Sequence, residues 1–223
     1  MKYQTILKFT LSPVGPVLVS SGSANKLHPE LPDNTFLMSS NNGEDTFVIP
    51  GSSLKGVIKH YLYRICKTDE TVDRLFGSAQ NKNARKSRVS VADAFADMAT
   101  VQTTLRHSTA LGSVSQSAKN GSLNNMMAVI DGDFAADIRM KDVTDAEILM
   151  ILRALQAIES HEICIGGKIS RGFGRMCVKD FQMTVSSGYD TELRPVIVGE
   201  FDSLATAVTA VSSGTLQMEG VTT

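Results

Sequence analysis

Apolar and polar residues alternate loosely over residues 3–12, with Thr, Ile and Phe among them, and the pattern predicts a first strand. Residues 20–50 are rich in Ser, Asn, Gly, Pro and Asp and read as one long loop. The period then changes. Leu54, Val57, Ile58, Tyr61, Leu62 and Ile65 fall at helical spacing, while Lys55, Lys59, Arg64 and Lys67 occupy other faces, so Ser53 to Lys67 is the clearest helix. Pro50-Gly51 turns the chain before it, and Ser52 or Ser53 is placed to cap it. Residues 69–76 add a short helix ending at Gly77, and residues 80–88 form a polar, basic loop.

Val89, Val91 and Ala94-Phe95 suggest a strand. Residues 100–130 are polar and rich in Ser, Thr, Asn and Gly, which predicts an insertion or protruding hairpin rather than core. Phe134 to Met140 reads as a strand, and Asp145 to Ser160 as a helix capped by Thr144, with Ile148, Leu149, Ile151, Leu152, Leu155 and Ile158 facing inward. A Gly-rich loop over 165–175 leads to a last strand, Met176 to Val185. The tail beyond holds a further apolar helix, Asp202 to Val211. The order β–α–β–insertion–β–α–β predicts an α+β chain: a ferredoxin-like, or RRM-like, sheet with two helices on one face. Neither a repeat nor a second domain shows, so residues 1–185 read as one domain and 186–223 as an extension.

The chain has 223 residues, 42% hydrophobic and 20% charged, enough for one sizeable core. Its apolar runs fall short of the roughly 20 residues that cross a bilayer, and the N-terminus lacks a secretory pattern; no membrane partner is expected. Cys66, Cys164 and Cys177 lie far apart, without zinc-ligand spacing, and suit buried free thiols in a reducing cytoplasm better than a structural disulfide. Net charge is −1, yet it is unevenly spread. Residues 55–119 hold eleven Lys/Arg against five Asp/Glu (+6), residues 120–163 three against eight (−5), and residues 164–182 four against one (+3). Two basic segments brought together by the fold would make a phosphate-binding strip; kept apart they are ordinary solvated charge.

Three stretches carry candidate chemistry. Ile49-Pro50-Gly51-Ser52-Ser53-Leu54-Lys55-Gly56 gathers hydroxyls, free N–H groups and a lysine at one helix start. That composition attracts phosphate, and it equally suits a well-capped structural helix. Ile165-Gly166-Gly167-Lys168-Ile169-Ser170-Arg171-Gly172-Phe173-Gly174-Arg175 combines four glycines, which let backbone approach a bulky ligand, with three cations and, in Phe173, a stacking face. Leu75-Phe76-Gly77-Ser78 is followed by the basic loop and by Val91-Ala92-Asp93-Ala94-Phe95.

In this order and spacing the stretches resemble the RAMP superfamily, in particular the small repeated backbone subunit of type III CRISPR effector complexes. The resemblance spans Tyr3 to Met183. It implies a ferredoxin-like palm that grips guide-RNA backbone. It also implies a thumb-like hairpin, here within Ala99 to Ile130, that reaches over the guide–target duplex. Ser52, Ser53 and Lys55, with Lys59 one turn on, match the phosphate-gripping helix start. Lys168, Ser170, Arg171 and Arg175 match the Gly-rich loop. Such contacts are independent of sequence, and base pairing with the guide carries specificity.

Many family members cut target RNA with an aspartate ahead of the Ile-Pro-Gly stretch. Asp33, in Asp33-Asn34-Thr35-Phe36-Leu37, is the matching candidate for catalysis and for holding Mg²⁺, with Asp45 a rival in the same loop. The family often has a histidine after the first strand, whereas Val17 to Gly22 here has none. His28 is close to Asp33 in sequence, His60 lies on the basic helix, His107 in the thumb segment, and His161 reads as a helix-end cation. The implied partners are guide RNA (crRNA), target RNA, further copies of the chain in a head-to-tail filament, and other CRISPR effector subunits. Three functions compete: a Mg²⁺-dependent endoribonuclease subunit, a silent guide-binding scaffold, and a guide-processing ribonuclease.

Overall fold

The computed structural model describes residues 2–20, 32, 34–78, 84–108, 124–214 and 216. Strand β1 (Tyr3–Pro13) runs through the middle of the sheet. Tyr3, Thr5, Leu7, Phe9 and Leu11 point to the core while Ile6 and Lys8 face solvent, the period-2 pattern of a half-buried strand. Its antiparallel neighbours are β8 (Phe134–Val143) and β9 (Met176–Tyr189). On the far side of β8 lie two short strands, β4 (Val89–Val91) and β5 (Ala94–Ala96), in place of the single predicted one. Reading β4/β5 as one broken strand, the spatial order fourth–first–third–second is that of a ferredoxin-like palm.

The sheet extends at both ends. The predicted long loop over 20–50 contains a hairpin, β2 (Met38–Asn41) and β3 (Glu44–Ile49), with β3 paired to β5. Its turn is Asn42-Gly43, both at positive φ (53° and 89°), which is the backbone a two-residue hairpin needs. At the opposite edge β10 (Pro195–Phe201) pairs with β9, which continues past 185. The tail therefore supplies an edge strand as well as its helix.

The helices α1 (Gly51–Ile65), α3 (Asp145–Glu159) and α4 (Leu204–Ser213) pack in series, with α3 in the middle; α2 (Asp69–Phe76) packs on α1. Leu54, Ile58 and Leu62 of α1 and Ile148, Ile151, Leu152, Leu155 and Ile158 of α3 share one core with the buried side of β1, β8 and β9. Thr144 caps α3 as expected, with Glu147 accepting from the Thr144 N–H (3.0 Å). The start of α1 differs. Its N-cap is Pro50, and neither Ser52 nor Ser53 caps it; instead the Gly51 N–H donates to Asp93 Oδ1 (2.8 Å), in the break between β4 and β5.

The inserted segment is a separate two-stranded sheet, β6 (Gln102–Ser108) with β7 (Asn124–Asp131). β6 is largely exposed, as a protruding hairpin should be. β7 is not: Met126, Ala128 and Val129 are buried, because Val17 exchanges two backbone hydrogen bonds with Val129 (2.8 and 3.0 Å). All three cysteines are free. Among the described residues no helix is long and apolar enough to cross a membrane.

Candidate nucleic-acid interface

The Gly-rich loop is held from below by the segment Pro16–Val19. The Gly167 N–H donates to Leu18 O (2.8 Å), the Gly174 N–H to Pro16 O (2.9 Å), and the Ile165 N–H closes the loop onto Gly174 O (2.8 Å). Two of the glycines are required by this fit. A Cβ at Gly166 (φ 96°) would sit 2.4 Å from Leu18 O, and one at Gly174 (φ 91°) 2.7 Å from Ile165 O. The loop thus approaches its own scaffold, and its tip projects. A single 3-10 turn, Ile169–Arg171, lies between two left-handed residues, Lys168 (φ 61°) and Gly172 (φ 83°). Lys168, Ser170, Arg171 and Arg175 are exposed, and among the described residues none of these side chains has a hydrogen bond or ion pair. Phe173 is different: it is 7% exposed and packs with Leu18, Met126 and Ala128 in a second small core, so it offers no stacking face.

At the start of α1, Ser52 is exposed and Ser53 half-buried. The two lysines are engaged within the protein. Lys55 Nζ donates to Ser87 Oγ and Val89 O (both 2.8 Å), and burial, with the Lys59 charge nearby, lowers its pKa. Lys59 Nζ donates to Gly77 O (2.9 Å), lies 3.6 Å from Asp73 Oδ1 and 5.4 Å from the centre of the Tyr63 ring. Both therefore fasten α1 to α2 and β4. The outer side of α1 meets the Gly-rich loop across a groove of about 350 Å³ lined by Gly56, His60, Tyr61, Arg64, Glu162 and Ile169 among others.

Asp33 and His28 lie outside the described residues. The neighbour of Asp33 in sequence, Asn34, is bonded to β7: its N–H donates to Asn125 O (3.1 Å) and its carbonyl accepts from the Met127 N–H (2.8 Å). His107 Nδ1 and Asn125 Oδ1 are 2.7 Å apart on the same hairpin. The rival Asp45 is exposed on β3, opposite Ser40. His161 follows α3 with φ 64°. Among the described residues no three His, Cys, Asp or Glu side chains converge on a metal position.

Residues to which the sequence reading gave no structural role hold these elements together. Asp93 seats α1, and Pro16–Val19 is the strip to which the Gly-rich loop, β7 and Leu37 all bond, the last through its N–H to Val19 O (2.7 Å). The run Val17-Leu18-Val19 was a visible apolar signal, but too short to assign to an element.

The fold has clear relatives. A chain of the type III-B Cmr-beta complex, determined by cryo-EM bound to cognate target RNA, superposes with a TM-score of 0.62 at 15% identity, over 82% of this chain and 61% of that one. The present chain thus spans about three-fifths of that relative's length. A chain of the Csm3-Csm4 subcomplex of the type III-A CRISPR-Cas interference complex superposes with a TM-score of 0.58 at 18% identity, over 96% of this chain and 97% of that one. No curated protein matches the sequence. The sequence profile of the RAMP superfamily matches residues 10–177, from β1 through the Gly-rich loop into β9, and the chain belongs to that superfamily.

Proposed function

We propose that this chain binds guide RNA as one of several head-to-tail copies in the backbone of a type III CRISPR-like ribonucleoprotein, and that it cuts target RNA paired to that guide. The observation that carries the reading is the tip of the Gly-rich loop. Lys168, Arg171 and Arg175 are exposed cations without protein partners among the described residues, and Ser170 stands between them. Cations kept free in a folded protein are available to phosphate, and contacts to phosphate grip any sequence. Ser52 and Ser53 at the start of α1 extend the grip, while Lys55 and Lys59 position that helix. Membership of the RAMP superfamily and the likeness of fold to a chain of an effector complex bound to target RNA support the same reading.

For cleavage, a nucleotide displaced by the hairpin holds its 2′-OH in line with the adjacent phosphorus. Asp33 takes the 2′-OH proton as the 2′-O–P bond forms and the P–O5′ bond breaks; the departing O5′ takes a proton from water, leaving a 2′,3′-cyclic phosphate and a 5′-hydroxyl. Asp33 would also hold Mg²⁺, which when bound would supply charge neutralisation at the phosphate. A scaffold that binds and never cuts is the second reading, favoured by the lack of a histidine in Val17 to Gly22, where the family often has one.

The test is cleavage of a guide-matched RNA by the assembled complex in Mg²⁺, wild type against Asp33→Ala. Regularly spaced cuts that vanish in the variant while target binding stays support the nuclease. A wild type that binds without cutting is the scaffold, and a variant that cuts normally moves the search to Asp45.

A further inference from the structure

Helix α1 carries a glycine, Gly56, that the fold does not need. Among the described residues a Cβ at this position meets nothing within 4 Å, and Gly56 is not at positive φ. Neither packing nor backbone geometry calls for it, and glycine is the poorest helix former after proline. A glycine here leaves room for the close approach of something outside the chain. Gly56 also belongs to a stripe: Ser52, Gly56, His60 and Arg64 recur every fourth residue and all are exposed. Gly56, His60 and Arg64 of the stripe line the groove described above, together with Tyr61, Glu162 and Ile169.

Ile169 is the second unexplained residue. It is 50% exposed at the tip of the Gly-rich loop, between Lys168 and the pair Ser170-Arg171. An apolar side chain set among free cations suits a ligand that alternates charged and planar apolar parts. RNA has that alternation, one phosphate and one base per nucleotide. The polar groups in the groove suit a base edge: Arg64 brings donors, and the Glu162 carboxylate, reached by the Tyr61 hydroxyl at 3.3 Å, brings acceptors.

We propose that this groove receives one unstacked nucleobase of the RNA strand whose phosphates lie on Lys168 and Arg171. The ring lies over Gly56 against Ile169, and its edge meets Arg64 and Glu162. The inference rests on the RNA-binding reading and adds a base-holding site to it.

The test compares the full-length protein's affinity for a short single-stranded RNA with that for the same RNA carrying abasic nucleotides. Wild type should bind the intact RNA about tenfold more tightly, the scale of one stacked base. Gly56→Met fills the groove with a better helix former, and Ile169→Ser removes the apolar wall. Each should lower affinity for intact RNA to the abasic level and leave abasic RNA unaffected. The thermal midpoint of Gly56→Met should stay the same or rise; if that variant does not fold, Ile169→Ser decides alone. Equal binding of both RNAs by wild type overturns the base site and leaves the phosphate grip standing. A preference for intact RNA that survives in the variants overturns it too. So does Gly56→Met losing self-association while keeping the preference, which would make the groove a seat for a second copy. Binding of neither RNA removes the RNA-binding reading and the base site with it.

Discussion

Asp93 is exposed, yet it fixes the position of α1, the helix on which much of the proposed interface stands. Its carboxylate accepts the Gly51 N–H, one of the donors that a helix start leaves unpaired. Gly51 has no room for a side chain, since a Cβ there would sit 2.3 Å from Val91 O. The two residues together dock the helix end against the break between β4 and β5. Asp93→Ala should lower the unfolding free energy by about 1 kcal/mol, with Asp93→Asn closer to wild type, as read from urea denaturation. Equal loss in both would mean that the hydrogen bond is not the source. The sequence pointed to serines as caps because capping rules are local, and Asp93 acts from 42 residues away. Phe173 misled for a related reason. Among glycines and cations it looks exposed, but its neighbours Leu18, Met126 and Ala128 come from distant parts of the chain.

At the scale of elements, both ends of α3 and its cap were legible: its apolar period, Thr144 and the glutamate three residues on are all local signals. The hidden part is the second use of Glu147. It is buried, and Arg88 clasps it through two nitrogens while donating also to Asp142 O (2.6 Å) and Arg74 O (3.1 Å). This joins α2, β4, β8 and α3. Burial pushes the Glu147 carboxyl up, but the Arg88 hydrogen bond, the Thr144 N–H and the Arg88 charge outweigh it and hold the pKa below the ordinary 4.5. A carboxyl depressed by folding stabilises the folded state above its unfolded pKa, and that contribution is lost as pH falls through the folded pKa. Stability should therefore decline as pH drops below about 4.5. Glu147→Gln should cost about 2 kcal/mol at neutral pH and flatten that decline, in denaturation curves taken across the acid range. The β2–β3 hairpin, by contrast, goes unread within the long loop over 20–50: the polar composition around it outweighs the turn signal of Asn42-Gly43.

For the whole molecule, counting charge along the sequence overstated one basic segment and understated the other. Of the cations between Lys55 and Lys119, the fold engages several internally: Lys55 with Ser87, Lys59 with Asp73, Arg85 with Glu70 (3.6 Å) and Arg88 with Glu147. The smaller excess in residues 164–182 includes Lys168, Arg171 and Arg175, which are free among the described residues. Linear charge balance cannot separate a cation that closes an ion pair from one that waits for a ligand; only the fold decides which carboxylates come within reach. The distinction has a measurable consequence. Each phosphate contact with single-stranded RNA adds about 0.7 to the slope of log K against log salt concentration. Replacing both Lys168 and Arg171 by alanine should lower that slope by about 1.4 and weaken binding evenly across RNA sequences. Arg85→Ala, which opens an ion pair with Glu70, should leave the slope where it is. If the double variant keeps the full slope and Arg85→Ala loses part of it, the phosphates run over the end of α2 rather than over the Gly-rich loop. If neither changes, they run over the open face of the sheet, where Lys8, Arg139 and Lys179 are exposed.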